Sequence, residues 1–353
     1  MQYNMLREIY EQPKVIAGTL RDASDQARSI AQQLNASRLS MVYFTGSGTS
    51  YHVCLAANYA LSTLTRISST TLPASEFSSW VRQSERTGTA VVAVSQSGES
   101  ADVLAAVKSA SSAGMRTIAV TNTEGSSLAN QTESRLVAKA GKERAVTATK
   151  SFTATLSAAY SLVLELAKAV IPASAASEQL ERSLLAAPDQ VQLTIDLTES
   201  RSKALTSKFS ERELYFILGS GANFSSALEG ALKLKESCNF YAEGFATREF
   251  LHGPMQLVDS RTPVFLLQGP EESEQVAQLA KSFLKFGAPT VIIRRKTAST
   301  TTNGIDTIDV APDIEDVFSP LVYVIPLQLY AFYAALARGL NPDSPGKLTK
   351  VVK

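Results

Sequence analysis

The sequence predicts an α/β protein of two tandem domains, each a parallel sheet with helices on both faces. Three observations lead there. At 353 residues the chain is long for one hydrophobic core and comfortable for two. Short, almost wholly apolar runs alternate with helical stretches through Gly/Ser-rich turns, the pattern of strands buried on both faces. The pattern then starts again: ELYFILGSGANFSSALEGALKL at 213–234 matches MVYFTGSGTSYHVCLAANYAL at 41–61, strand to Gly-Ser-Gly turn to helix, which implies an internal duplication.

Element by element, residues 1–34 read as an N-terminal helical segment. The first domain, 35–171, opens on the strand SMVYFTG, the turn SGTS and the helix YHVCLAANYALSTL. A strand follows at 89–95, then a helix from Ala101 to Ala113 stopped by Gly114, a strand at 116–122, another near SRLVAKA, and a helix from about Thr149 to Ile171. Residues 172–210 are polar, Ala-rich and helical in pattern with a break at Pro188, and read as the connection between domains. The second domain, 211–340, continues with strands at 263–269, 289–295 and 307–311 and a helix at about 271–286. The tail, 341–353, has Pro and Gly without periodicity and should be irregular.

Composition narrows the function. Hydrophobic residues make up 44% and charged residues 19%, a globular balance. With 34 basic and 33 acidic side chains, no global field recruits nucleic acid or an anionic membrane, so any anion must be bound locally. No helix-turn-helix segment or basic patch stands out. Cys54 and Cys238 support neither a disulfide framework nor a cysteine metal site, which fits a reducing cytoplasm. The N-terminus shows no secretory signal. The most membrane-like run, Leu321 to Leu340, is interrupted by Pro326, Gln328 and Arg338 and reads as a buried core helix, so no membrane is expected.

In an open parallel sheet, ligands bind beyond the carboxyl ends of the strands. Two serine-rich loops fall there. Gly46-Ser47-Gly48-Thr49-Ser50 places glycines and hydroxyls at a helix start, and Ser95-Gln96-Ser97-Gly98-Glu99-Ser100 repeats the arrangement at the next strand-helix junction. Hydroxyl and amide donors at helix N-termini suit a phosphate monoester, although one such turn alone is more often a helix cap. Neither a nucleotide P-loop nor a GxGxxG dinucleotide fingerprint is present, since Tyr51 stands where the third glycine belongs.

The ordered motifs GSGTSYH, SQSGES, AVTATKSF, ALEGALKLKE, REFLHGP and the closing LTK resemble the sugar-isomerase (SIS) domains of glucosamine-6-phosphate synthase across nearly the whole chain, and MLREIYEQP resembles the lead into that isomerase half. The resemblance implies two flavodoxin-like SIS domains and hexosamine or fructose 6-phosphate as substrate. It also implies no metal or redox cofactor and a homodimer with shared sites. The synthase's N-terminal nucleophilic cysteine has no counterpart, the second residue here being Gln2, so release of ammonia from glutamine is not expected of this chain.

By the same resemblance the substrate-binding residues are Gly48, Thr49, Ser50, Ser95, Gln96, Ser97 and Ser100, with Val146 in a sugar-contacting loop. Glu236 corresponds to the proton-transfer base, His252 to a ring-opening histidine supplied by the neighbouring subunit, and Lys350 to a lysine on a tail that covers the site. Read from the residues alone, Glu236 continues the stripe Leu228, Leu232 and projects from the buried side of a helix, where a carboxylate can act as a base. The alternative is a surface glutamate paired with Lys233. His252 precedes Gly-Pro in a loop and is either an acid–base group or structural, His52 reads as structural, and Lys350 in a free tail would be solvent-exposed by default. The expected activity is glucosamine-6-phosphate deamination to fructose 6-phosphate and ammonia. The alternatives are a fructosamine-6-phosphate deglycase and a phosphosugar sensor without turnover.

Overall fold

The computed structural model describes residues 2–81, 88–170, 174–209, 211–296 and 304–350. Two helices, α1 (Asn4–Tyr10) and α2 (Gln12–Leu34), lead into β1 (Met41–Gly46), α3 (Thr49–Leu64), β2 (Ser68–Pro73), α4 (Ala74–Trp80), β3 (Thr89–Val94), α5 (Ala101–Ser112), β4 (Arg116–Thr121), α6 (Ser127–Gln131), β5 (Ser134–Val137) and α7 (Lys150–Val170). After α8 (Ala175–Phe209) come β6 (Leu214–Gly219), α9 (Asn223–Cys238), β7 (Tyr241–Ala246), two 3-10 turns at Glu249–Leu251 and Pro254–Leu257, β8 (Val264–Gln268), α10 (Ser273–Lys285), β9 (Thr290–Arg295), β10 (Asp306–Val310) and α11 (Pro320–Ala337).

Both sheets are parallel and five-stranded. The first runs β2-β1-β3-β4-β5 and the second β10-β9-β8-β6-β7, which is the same order read from the other edge. In each, strand order reverses beside the first strand, so β1/β3 and β6/β8 are the switch points where loops diverge and leave room for a ligand. The duplication extends to single atoms. A Cβ on Gly46 would lie 2.9 Å from the carbonyl carbon of Ser50, and one on Gly219 would lie 2.3 Å from the carbonyl oxygen of Asn223, so in each copy glycine lets the next helix crowd the strand end.

The central strands β1, β3, β4, β6 and β8 are buried nearly throughout, and this is why they read as unbroken apolar runs. β2 (SSTTLP) and β7 (YAEGFA) lack that signal and were not foreseen. Both lie outermost on their sheets with half-exposed side chains, so polar residues and glycine are tolerated there. Helix α8 runs unbroken through Pro188, correcting the expected break; the proline forfeits one helical hydrogen bond without ending the helix. Helix α11 is buried along almost its whole length, with Tyr323 and Tyr330 fully enclosed. Among the described residues it is the helix long and apolar enough to cross a membrane, and 83% of it is buried inside the protein.

Contacts divide the chain into two units that differ from the expected linear blocks 1–34, 35–171, 172–210, 211–340 and 341–353. The first unit gathers Gln12–Glu143, Lys150–Pro188 and Thr349–Lys353; the second gathers Met1–Glu11, Arg144–Thr149 and Asp189–Leu348. The physical reason lies in buried carboxylates. In the second unit, Glu8 accepts the backbone N–H groups of Arg144 at 2.5 Å and Ala145 at 3.2 Å. Asp343 caps the open N-terminus of α1 by accepting from the amides of Asn4 (2.8 Å) and Met5 (2.7 Å).

Candidate active site

In the first unit, the loops after β1 and β3 sit side by side at the switch point. Helices α3 and α5 start directly from them, and each presents the positive end of a helix dipole. Thr49, Ser50, Gln96, Ser97 and Ser100 are half-exposed, Gly48 is exposed and Ser95 is buried. Ser100 is the N-cap residue of α5 but its hydroxyl makes no cap bond. The second loop is braced from behind: Gly98 N–H donates to Ser95 Oγ at 3.1 Å, and the Glu99 carboxylate accepts from both the N–H (2.9 Å) and the hydroxyl (2.7 Å) of Ser127. Gly98 has φ +69°, and a Cβ there would come within 2.1 Å of Ser126 Oγ, so only glycine makes this turn. The result is a rigid cradle of neutral donors suited to one anion.

Of the matching loops of the second unit, that after β6 keeps Gly219-Ser220-Gly221, whereas that after β8 differs. After β8 the counterpart of the hydroxyl loop is Gln268-Gly269-Pro270-Glu271-Glu272, and Glu272 accepts the Gly269 N–H at 3.1 Å. Nearby, burial first and then the charges of Glu272, Glu271 and Glu315 push the Asp316 carboxyl up despite Arg295. Carboxylates occupy the place of the hydroxyls, and a phosphate would be repelled.

Also in the first unit, the Glu143 side chain is wholly buried and Lys350 Nζ lies 2.5 Å from its Oε2. Ser151, at the start of α7, donates its N–H (3.0 Å) and hydroxyl (2.5 Å) to the same carboxylate. Burial works against the charge on Glu143, but Lys350 and Ser151 outweigh it and hold the carboxyl below its usual range. Lys350 is thus paired rather than free in solvent, which corrects the default reading of the tail.

In the second unit, α9 carries a buried ionic triad. Lys233, with no exposed side-chain surface, lies 3.2 Å from Glu229 Oε1 and 2.6 Å from Glu236 Oε2. The spacing i−4 and i+3 puts all three on one helix face. Burial opposes the ammonium, yet the two carboxylates prevail and push its pKa up. Glu229 is as buried as Lys233, whereas the Glu236 side chain is 20% exposed. The stripe Leu228, Leu232, Glu236 is therefore half-exposed rather than buried, and the neighbouring stripe Glu229, Lys233, Ser237 is buried. Glu236 thus fits the alternative reading, a part-exposed glutamate paired with Lys233, and not a carboxylate projected from the buried side. Beside the triad, Ser237 Oγ is 3.2 Å from Thr147 Oγ1, and Val146 N–H donates to the Asp343 carbonyl at 2.9 Å. The loop bearing Val146 is thereby fastened to the helix bearing Glu236.

A family model described as the SIS domain matches residues 17–165 and 208–338. The chain belongs to the SIS-domain family. Similar curated proteins include the isomerizing glutamine–fructose-6-phosphate aminotransferases of Pyrobaculum aerophilum, 36% identical over 99% of this chain and 57% of that protein, and of Thermococcus kodakarensis, 34% identical over the same shares. This chain spans little more than half the length of those relatives. Among solved structures, the C-terminal domain of glucosamine-fructose-6-phosphate aminotransferase from Francisella tularensis superposes with a TM-score of 0.90 at 26% identity, covering 97% of this chain and 98% of that one. Glucosamine-6-phosphate deaminase from Thermotoga maritima superposes with a TM-score of 0.77 at 26% identity over 99% of both chains.

In this SIS-domain chain the expected residues fall into four groups, one of them Lys350 on Glu143. Gly48, Thr49, Ser50, Ser95, Gln96, Ser97 and Ser100 gather on two neighbouring loops, and Glu236 and Val146 belong to one fastened assembly in the second unit. His252 stands apart: it ends a 3-10 turn before Gly253, its side chain is exposed, and no hydrogen bond or ion pair joins it to the triad. Cys54 and Cys238 are free, and burial pushes both thiols up, leaving them inert. Glu229, Glu143 and Glu8 were missed as partners. Glu229 had a signal, since ALEGALKLKE places acids four before and three after Lys233; Glu143 and Glu8 make contacts far along the chain that no local pattern announces.

Proposed function

We propose that this chain converts D-glucosamine 6-phosphate and water to D-fructose 6-phosphate and ammonia. The observation that carries the reading is the graded burial of the α9 triad. Lys233 and Glu229 are sealed, and Glu236 alone of the three reaches the surface, as a base that must touch substrate requires. The likeness to the Thermotoga maritima deaminase over 99% of both chains supports the same reading.

The hydroxyl loops hold the 6-phosphate. Ring opening moves a proton from the C1 hydroxyl to the ring oxygen, leaving a C1 aldehyde, and His252 is the proposed carrier. Glu236 then takes the proton from C2, the electrons pass through an enolamine, and the proton returns at C1, leaving a ketimine at C2. Water adds to that carbon and ammonia departs, so atoms balance without change of oxidation state or need for a metal. His252, exposed on its turn, serves a neighbouring copy's site in a proposed homodimer, which light scattering on the purified protein tests by mass.

A second reading follows from the aminotransferase relatives: the same proton transfer run from fructose 6-phosphate with ammonia supplied from elsewhere. The deciding experiment measures ammonia and fructose 6-phosphate from glucosamine 6-phosphate, with Glu236→Gln as control and a fructoselysine 6-phosphate comparison. Ammonia that disappears in the control supports the deaminase. Turnover of the adduct alone makes the chain a deglycase, formation of glucosamine 6-phosphate from fructose 6-phosphate and ammonium without the forward reaction favours the second reading, and binding without turnover makes it a sensor.

A further inference from the structure

Between Pro345 and Thr349 the chain has neither helix nor strand and is largely exposed, yet Lys350 ends at a buried carboxylate. Three donors converge on Glu143: the Ser151 N–H, the Ser151 hydroxyl and the Lys350 ammonium. Ser151 satisfies hydrogen-bonding capacity without charge, the start of α7 adds a favourable dipole, and Lys350 brings a full positive charge to an anion that has no contact with water. An exposed pair would be too weak to localise a long, freely rotating amine. With one partner sealed in the fold, the carboxylate has one position, and the amine must come to it.

We infer that Glu143 is the positioning residue for Lys350, fixing the tail ammonium at one place so that the tail closes in a single register. A part for Lys350 in turnover rests on the resemblance that makes it the tail lysine over the site, and so on the aminosugar reading; the hold of Glu143 on it does not. The carboxylate does not touch substrate in this scheme. It acts through the lysine, and its loss should imitate loss of the lysine.

The test uses the full chain and a double-mutant cycle. Glu143→Gln and Lys350→Met should each lower kcat by about a hundredfold while leaving the KM for glucosamine 6-phosphate within about threefold, and the double variant should be no slower than either single. A purely structural Glu143 would lower kcat again in the Lys350→Met background, and that result overturns the inference. Should Glu143→Gln not fold, Glu143→Asp, which keeps the charge but withdraws it from the lysine, enters the cycle with the same expectation. Limited trypsinolysis gives a readout free of activity. Cleavage after Lys350 requires its side chain to leave Glu143, whereas exposed Lys347 provides an internal control. The ratio of cleavage after Lys350 to cleavage after Lys347 should rise several-fold in the Glu143 variant, and an unchanged ratio overturns the inference. If the wild-type chain turns over no aminosugar, the deaminase reading falls and trypsinolysis alone judges the hold on the tail.

Discussion

Replacing Lys233 by methionine separates the structural from the chemical work of the α9 triad. Methionine nearly matches the lysine stem in volume, so packing is kept and the charge alone is lost. What remains is Glu229, wholly buried and 3.2 Å from where its counter-ion stood. Removing one member of a buried ion pair costs about 3–5 kcal/mol because the survivor is left uncompensated. For a domain of this size each kcal/mol moves the melting temperature by roughly 2–4 °C, so a fall of roughly 6–20 °C is expected. Glu236→Gln should behave differently: its side chain is part-exposed and Lys233 keeps Glu229, so the cost is about 1 kcal/mol while deamination is abolished. The double variant Glu229→Gln/Lys233→Met removes both buried charges and should regain much of the loss.

Circular dichroism melts of the three variants make the comparison, and pH sharpens it. The Lys233 pKa is raised on folding, so its contribution is complete below the usual lysine value of 10.5 and is lost only as pH climbs through the higher folded value. The gap between wild type and Lys233→Met should therefore stay level up to about pH 10.5 and close above it. A Lys233→Met protein melting within about 2 °C of wild type, with the double variant no better, would refute the claim that the triad is a buried ion network.

Gly98→Ala forces a side chain into left-handed backbone and against Ser126, so the second loop should distort at a cost of about 1–2 kcal/mol before the clash is counted, read as a lower melting temperature together with a raised KM. Ser97→Ala removes one donor to a charged phosphate, worth about 1.5–3 kcal/mol, and should raise KM roughly 10- to 150-fold with little change in the melt. Glu143 has a lowered pKa, so its stabilisation is present above the ordinary glutamate value of 4.5 and lost as pH falls through the folded one; the difference in melting temperature between wild type and Glu143→Gln should persist above pH 4.5 and shrink below it.

Legibility tracked burial. The strands β1, β3, β4, β6 and β8 announced themselves because both faces are covered, and helices α3, α5 and α9 because a Gly/Ser turn and an apolar period mark each start; the short α4 and α6 were not foreseen. The outer strands β2 and β7, with polar and glycine-bearing sequences, carried no such mark. The serine-rich loops were legible as strand-helix junctions because their pattern is local, glycines and hydroxyls clustered at a helix start. Glu143 was not, because its meaning depends on Lys350, 207 residues away, and Glu8 was not, because it serves amides 136 residues on. Long-range carboxylates of this kind leave no period and no motif in the chain.

The duplication supplies a final physical constraint on the reading. Two sheets of identical strand order offer two switch points, and backbone geometry alone would make both anion sites. Side chains break the symmetry. At the first, Ser95, Ser97 and Ser100 line the loop, and its one acid, Glu99, is turned away onto Ser127. At the second, Glu271 and Glu272 replace the hydroxyls, Glu272 consumes the loop amide at Gly269, and burial, joined by the charges of Glu272, Glu271 and Glu315, raises Asp316. The first copy thus carries the neutral hydroxyl donors, while the second carries Glu229, Lys233 and Glu236 on α9, the helix after β6. The proposed deamination draws on both kinds of chemistry: hydroxyl donors for the phosphate and, beside a sealed cation, one accessible carboxylate for proton transfer.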